Sequence, residues 1–156
     1  VKLRDIYDAI ELADDYFMSY LDKKTGEVTT VPGDAFPMAR GEDVNMPMVE
    51  IHDCDVEYAK KIIEEEFDKE KRYLQLPTQR DIHEWDIMRR FSISRKDEDI
   101  REQLMDAIHG KGAFRCFKDT VLRLGIRQDW FDFREKAFYD IARKWCERHN
   151  IDYIED

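Results

Sequence analysis

The sequence predicts an α+β fold that is mostly α: about six helices, an N-terminal β-hairpin, and a long C-terminal helix as the central element. Three observations lead there. Apolar residues recur at helical spacing through residues 3–14 and again from 55 to 150. The period switches to that of strands across YFMSYLDKKTGEVTTV, residues 16–31. Charged residues form 40% of the chain, against an ordinary ~25%, which fits helices with one solvated face.

In the first helix Leu3, Ile6, Tyr7 and Ile10 share a side. In the hairpin, Asp22 can accept turn amides and Gly26 can take the positive φ that the loop needs. Pro32, Gly33, Pro37, Gly41 and Pro47 interrupt residues 32–54, which read as a long surface loop anchored near its end by Met46, Met48, Val49 and Ile51. Asp55 caps a helix running to about Arg72, with the narrow stripe Val56, Ala59, Ile63, Phe67. Tyr73–Pro77 is extended, because Pro77 disfavours helix at Leu76.

Thr78, with Asp81 in the capping-box position, starts a helix that buries Ile82, Trp85, Met88 and Phe91. Residues 97–109 form the next helix through Ile100, Leu104, Ala107 and Ile108, and Gly110-Lys111-Gly112 stops it. Residues 113–124 place Phe114, Phe117, Val121 and Leu124 on one face, and Gly125-Ile126 closes the helix with a left-handed cap. Helix 128–148 carries the widest apolar face, from Trp130, Phe131 and Phe133 to Trp145, and Asn150-Ile151 ends it. Tyr153 and Ile154 suit a short terminal strand.

The 156 residues suit one domain, with the hairpin at about 16–31, the irregular loop at 32–54 and a helical part at 55–150. Apolar residues at 42% and aromatics at 12% supply a core without disulfide or metal staples. Cys54, Cys116 and Cys146 are scattered and form no CxxC, which reads as reduced thiols in a cytoplasmic protein. No apolar run approaches the ~18 residues of a membrane span, so no membrane association is expected. A net charge of −10 repels phosphate backbones and anionic lipid.

One segment opposes that charge. Residues 110–127, GKGAFRCFKDTVLRLGIR, hold Lys111, Arg115, Lys118, Arg123 and Arg127 with Asp119 as the one acid, a local charge of +4 that leaves −14 on the rest. Glycines before a helix start leave amides open, and Arg and Lys follow in the first turns. Lys111, Gly112, Arg115 and Lys118 are therefore the anion-binding candidates. The competing reading is an internal ion-pair network, with acids of the 55–72 helix as partners. GxxxxGK[ST] is absent, so this is no P-loop.

The segments YLDKKTGE, Leu76-Pro77 before a helix, GKGAFRCFKD, WFDF and ARKWC occur in this order. In them the chain resembles a bacterial family of small proteins of unknown function. The resemblance implies a bacterial cytoplasmic protein and carries no activity and no ligand residues.

Several motifs lead nowhere. His52-Asp53 looks like the HD metal pair but lacks the further His and Asp residues that such a site needs, and His83-Glu84 starts like a zincin but has Ile87 where the second His belongs. Cys116 lies between Arg115 and Lys118 with only His109 near in sequence as an orienting base, so an inert thiol is expected. The Trp130–Trp145 aromatics read as core, not as a base-stacking platform. Helix 97–109, the glycine turn and helix 113–124 mimic a helix-turn-helix, but net charge opposes DNA, so nucleic acid ranks below protein as a partner.

Three classes of function stay open. The first is a non-catalytic regulatory or adaptor protein binding another protein, marked by an exposed apolar patch around Tyr16, Tyr20 or the 32–54 loop. The second is a binder of a phosphate-bearing ligand or nucleic acid through 110–127. The third is an enzyme, which would need Glu84, His83, His109 or Cys116 to converge on the basic cluster; no spacing demands it, and no catalytic residue, metal or cofactor is assigned.

Overall fold

A computed structural model of the chain describes residues 1–155. It is α+β and mostly α: among the described residues six longer helices, two single-turn helices and a three-stranded antiparallel sheet. The chain divides into two compact units, one of Val1–Asp81 with the residues from Ala142 onward, the other Ile82–Ile141.

The first unit opens with α1 (Leu3–Glu11), which buries Leu3, Ile6, Tyr7 and Ile10 as its spacing predicts. The hairpin follows as β1 (Phe17–Asp22) and β2 (Val28–Pro32), with Tyr20 opposite Thr29. Its turn works as the residues suggest. Gly26 sits at φ 75°, the Gly26 amide donates to the Asp22 carbonyl at 2.8 Å, and the Lys24 amide donates to Asp22 Oδ1 at 2.9 Å.

The 32–54 stretch is less irregular than its prolines imply, because α2 (Ala35–Ala39) forms in it. Met46 and Met48 do not anchor its end; they are 90% and 69% exposed. The next helix, α3 (Asp53–Glu64), starts one residue after His52, whose amide donates to Asp55 Oδ2 at 2.9 Å, so Asp55 closes a capping box from inside the helix instead of standing before it. It stops well short of Arg72. Phe67 falls in the following turn and is 91% exposed, and the buried stripe is Ala59 and Ile62.

The extended segment becomes β3 (Tyr73–Gln75), which pairs with β1 on the side away from β2, giving the order β2-β1-β3. Tyr20, Val31 and Ile62 form a small core on this sheet, joined by Met18, Phe36, Tyr58 and Tyr73. A parallel bridge between Lys2 and Ile154 ties the terminal residues together, with Leu3 donating to the Ile154 carbonyl at 3.0 Å.

Thr78 starts α4 (Gln79–Ile82), its amide donating to Asp81 Oδ2 at 2.9 Å. That helix does not run on. His83 at φ 53° breaks it, and α5 (Glu84–Ile93) begins anew.

The second unit consists of α5, α6 (Glu98–Ile108), α7 (Ala113–Arg123) and the first part of α8 (Arg127–Arg148). Asp97 caps α6 by accepting the amides of Asp99 and Ile100. The core is aromatic: Phe91 meets Trp130 edge-on with ring centroids 5.3 Å apart, and Phe117 meets Trp130 at 4.8 Å. Fully burying a side chain of this size contributes about 2–3 kcal/mol, and edge-on geometry adds to it. The α7–α8 joint is a Schellman motif: with Gly125 at φ 72°, its amide bonds the Leu122 carbonyl and the Ile126 amide bonds the Val121 carbonyl, each at 3.2 Å.

Candidate functional site

The basic segment forms the α6–α7 turn and the whole of α7. Gly110 at φ 128° and Gly112 at φ 71° make the turn, and a Cβ at either would meet nothing within 4 Å, so conformation and not crowding calls for glycine there. Gly112 is the N-cap, and no side chain caps the helix. The first-turn amides, at the positive end of the helix dipole, therefore keep their donors uncapped.

Lys111, Gly112, Arg115 and Lys118 are all exposed. Among the described residues none of the three cations has an ion pair, whereas Arg72, Arg90, Arg134 and Arg143 each reach a carboxylate. The internal-network reading is not what the geometry contains. Arg115 and Lys118 lie one turn apart on the solvent side of α7, while Phe117, Thr120 and Val121 face the core.

The apolar face of α7 is narrower than its spacing suggests. Phe117 and Val121 are 0% and 2% exposed, but Phe114 is 48% exposed. A helical side chain covers surface toward the N-terminus of its own helix, and in the first turn only the glycine turn lies there. Phe114, Lys118 and Leu122 follow at four-residue spacing, and Leu122 is 63% exposed. Alongside, Phe131 of α8 is 44% exposed, with the Arg127 guanidinium 5.0 Å from its ring centroid. The wide aromatic face expected of α8 thus loses Phe131 to the surface and keeps Trp130.

Lys118, Leu122, Arg127 and Phe131, with the buried Val121 and Trp130 and with Asp119, line a groove of about 400 Å³ between α7 and the first turns of α8. Leu122, Arg127 and Phe131 were missed as site residues in the sequence. The four-residue spacing of 114, 118 and 122 was the signal for Leu122. The groove itself depends on how the turn at Gly125 sets α8 against α7, a tertiary relationship that no local pattern supplies.

Of the residues that an enzyme would need, Glu84 and His109 are held by other groups. Glu84 Oε1 accepts from Arg134 Nε at 2.8 Å. His109 Nδ1 is engaged by the Met105 carbonyl, and the His109 ring lies edge-on to Trp85. His83 is the left-handed residue before α5. Cys54 and Cys116 are exposed, and burial pushes the Cys146 thiol above its ordinary value. Among the described residues no helix is long and apolar enough to cross a membrane, and no group of three or more His, Cys, Asp or Glu could hold a metal ion.

No family model, no curated protein and no solved structure matches this chain.

Proposed function

We propose that this protein is a non-catalytic interaction protein that docks an acidic, partly apolar segment of a partner protein on the α7–α8 face. One observation carries the reading: uncompensated Lys111, Arg115 and Lys118 share a surface with exposed Phe114, Leu122 and Phe131 on a chain of net charge −10. Aromatics beside unpaired cations are the composition of a recognition surface, and an apolar slot between two cations suits an apolar anchor flanked by Asp or Glu. The net negative charge of the rest of the chain steers an anionic partner toward this basic face.

The test is fluorescence anisotropy with a synthetic helical peptide of alternating Glu/Asp and Leu/Phe. Saturable binding is expected, weakened by salt, and lost in Lys118→Glu and reduced in Leu122→Ser. Equal binding by the wild type and both variants would sink the reading.

A second reading, a phosphate-bearing ligand or nucleic acid on the same segment, draws on the uncapped amides after Gly112. Pyrophosphate and a short single-stranded oligonucleotide are its probes; it predicts loss of binding in Arg115→Ala with Lys118→Ala but indifference to Leu122→Ser.

A further inference from the structure

The first unit holds a cleft larger than the α7–α8 groove. A cleft of about 650 Å³ opens between the sheet, α2 and α3. Met18, Tyr20, Phe36, Ile62 and Tyr73 give it an apolar, aromatic lining, with the Tyr20 and Phe36 rings 5.7 Å apart. This is the size and character of a small-molecule site. Its charged lining comprises Arg40, Glu65, Glu66, Lys71 and His149. Arg40 is engaged by Glu42 at 3.6 Å and Glu65 by Arg72 at 3.6 Å. Glu66 and Lys71 have no ion pair among the described residues.

The two free charges act on different groups. Burial first, and the negative charge of Glu66 second, push the Tyr20 hydroxyl above its ordinary value. Burial first, and then the positive charges of Arg148, Lys23 and Lys71, hold His149 below its ordinary value. The cleft lining thus carries one unpaired negative charge, Glu66, and one unpaired positive charge, Lys71, among the described residues.

Lys71 carries a second mark. Its φ is 37°, a left-handed backbone that strains any residue with a side chain and that glycine takes freely. The turn keeps a strained lysine where a glycine would fold more easily, and the lysine brings a charge to the cleft.

We propose that this cleft binds a small zwitterion with a planar aromatic body, an aromatic α-amino acid or a close derivative: the ring lies among Tyr20, Phe36 and Tyr73, Glu66 answers the ammonium and Lys71 answers the carboxylate. The cleft shares no lining residue with the α7–α8 groove and does not depend on the function proposed for that face.

Calorimetric titration of the full chain with four probes tests the match. L-Tryptophan has ring and both charges, tryptamine lacks the carboxylate, indole-3-propionate lacks the ammonium, and glycine lacks the ring. L-Tryptophan is expected to bind about tenfold or more tighter than either singly charged indole, with no detectable heat from glycine. Glu66→Gln should erase the advantage over indole-3-propionate. Lys71→Gly should erase the advantage over tryptamine while raising the melting temperature, a pairing that a merely structural lysine would not produce. Both positions are exposed, and circular dichroism checks that each variant is folded. No saturable L-tryptophan binding up to roughly 10 mM overturns the proposal. So does affinity for a singly charged indole equal to or above that for L-tryptophan, or wild-type binding by both variants.

Discussion

Both oxygens of the Asp22 carboxylate accept from Arg72, Oδ1 from Nε and Oδ2 from Nη2, each at 2.8 Å, across fifty residues of sequence. The pair clamps the hairpin turn to the start of β3, where the Lys23 amide also donates to the Arg72 carbonyl at 2.9 Å. Asp22 is 6% exposed, so its charge is stabilised by this partner and by the Lys24 amide, not by water. Asp22→Asn should destabilise the fold by about 2 kcal/mol, the scale of a charge-assisted bond left half-made. Urea denaturation of the two proteins checks it.

The same pair sets an acid limit. The Arg72 hydrogen bonds, outweighing burial, hold Asp22 at about 2 against an ordinary 3.8. The folded value is depressed, so the contribution is complete above the unfolded value and is lost as pH falls from 3.8 toward about 2. The melting-temperature gap between wild type and Asp22→Asn should be constant from pH 7 to about 5 and close below pH 4. A gap that persists at pH 2 would contradict this account.

Phe114 and Phe117 share one apolar face by sequence and separate in the structure. Phe117→Ala removes a 0% exposed ring from the Phe91–Trp130 cluster and should cost about 3–5 kcal/mol. Phe114→Ala should change stability by no more than about 0.5 kcal/mol, because nearly half the ring already faces solvent. Peptide binding should respond in the opposite order. Thermal melts and the anisotropy titration, run on both variants, separate the two roles.

This contrast shows where the sequence was legible. Periodicity and local chemistry act within a few residues, so α1, the hairpin with Asp22 and Gly26, the Thr78–Asp81 helix start and the closures at Gly125 and Asn150 could all be read directly. What depends on distant partners could not. Arg72 looked like the end of a helix because its role is to reach Asp22; β3 looked like a bare extended segment because its hydrogen bonds go to β1. His83 looked helical because nothing local forbids it, yet it takes φ 53° and splits the predicted helix. At the candidate site the cations were legible from charge alone. The groove was not, since it exists only where the Schellman turn brings Phe131 beside Leu122.

The three thiols should react in two classes. Cys54 and Cys116 are exposed, while Cys146 is 0% exposed and its thiol is raised by burial. A disulfide reagent at pH 8 should label Cys54 and Cys116 quickly and Cys146 only as fast as the protein opens around it. Mass spectrometry of peptides from a time course gives the order. Early labelling of Cys146 would mean that the end of α8 opens far more readily than its burial implies.

Arg115 and Lys118 stand one turn apart, both positive and, among the described residues, without an ion pair, close in sequence to Lys111. Like charges at this spacing repel by a few tenths of a kcal/mol on a helix. Among the described residues neither side chain has an ion-pair partner to lose. Arg115→Ala with Lys118→Ala should therefore leave stability unchanged or raise it by up to about 0.5 kcal/mol at low salt, the gain fading as salt screens the repulsion. The same variant should bind the acidic peptide much more weakly and with a shallower salt dependence. A large loss of stability would instead give these cations a structural role and remove the basis for reading the α7–α8 face as a docking surface. Charge kept at a small cost to the fold, on a surface that does not need it for folding, is what recognition of an anionic partner requires.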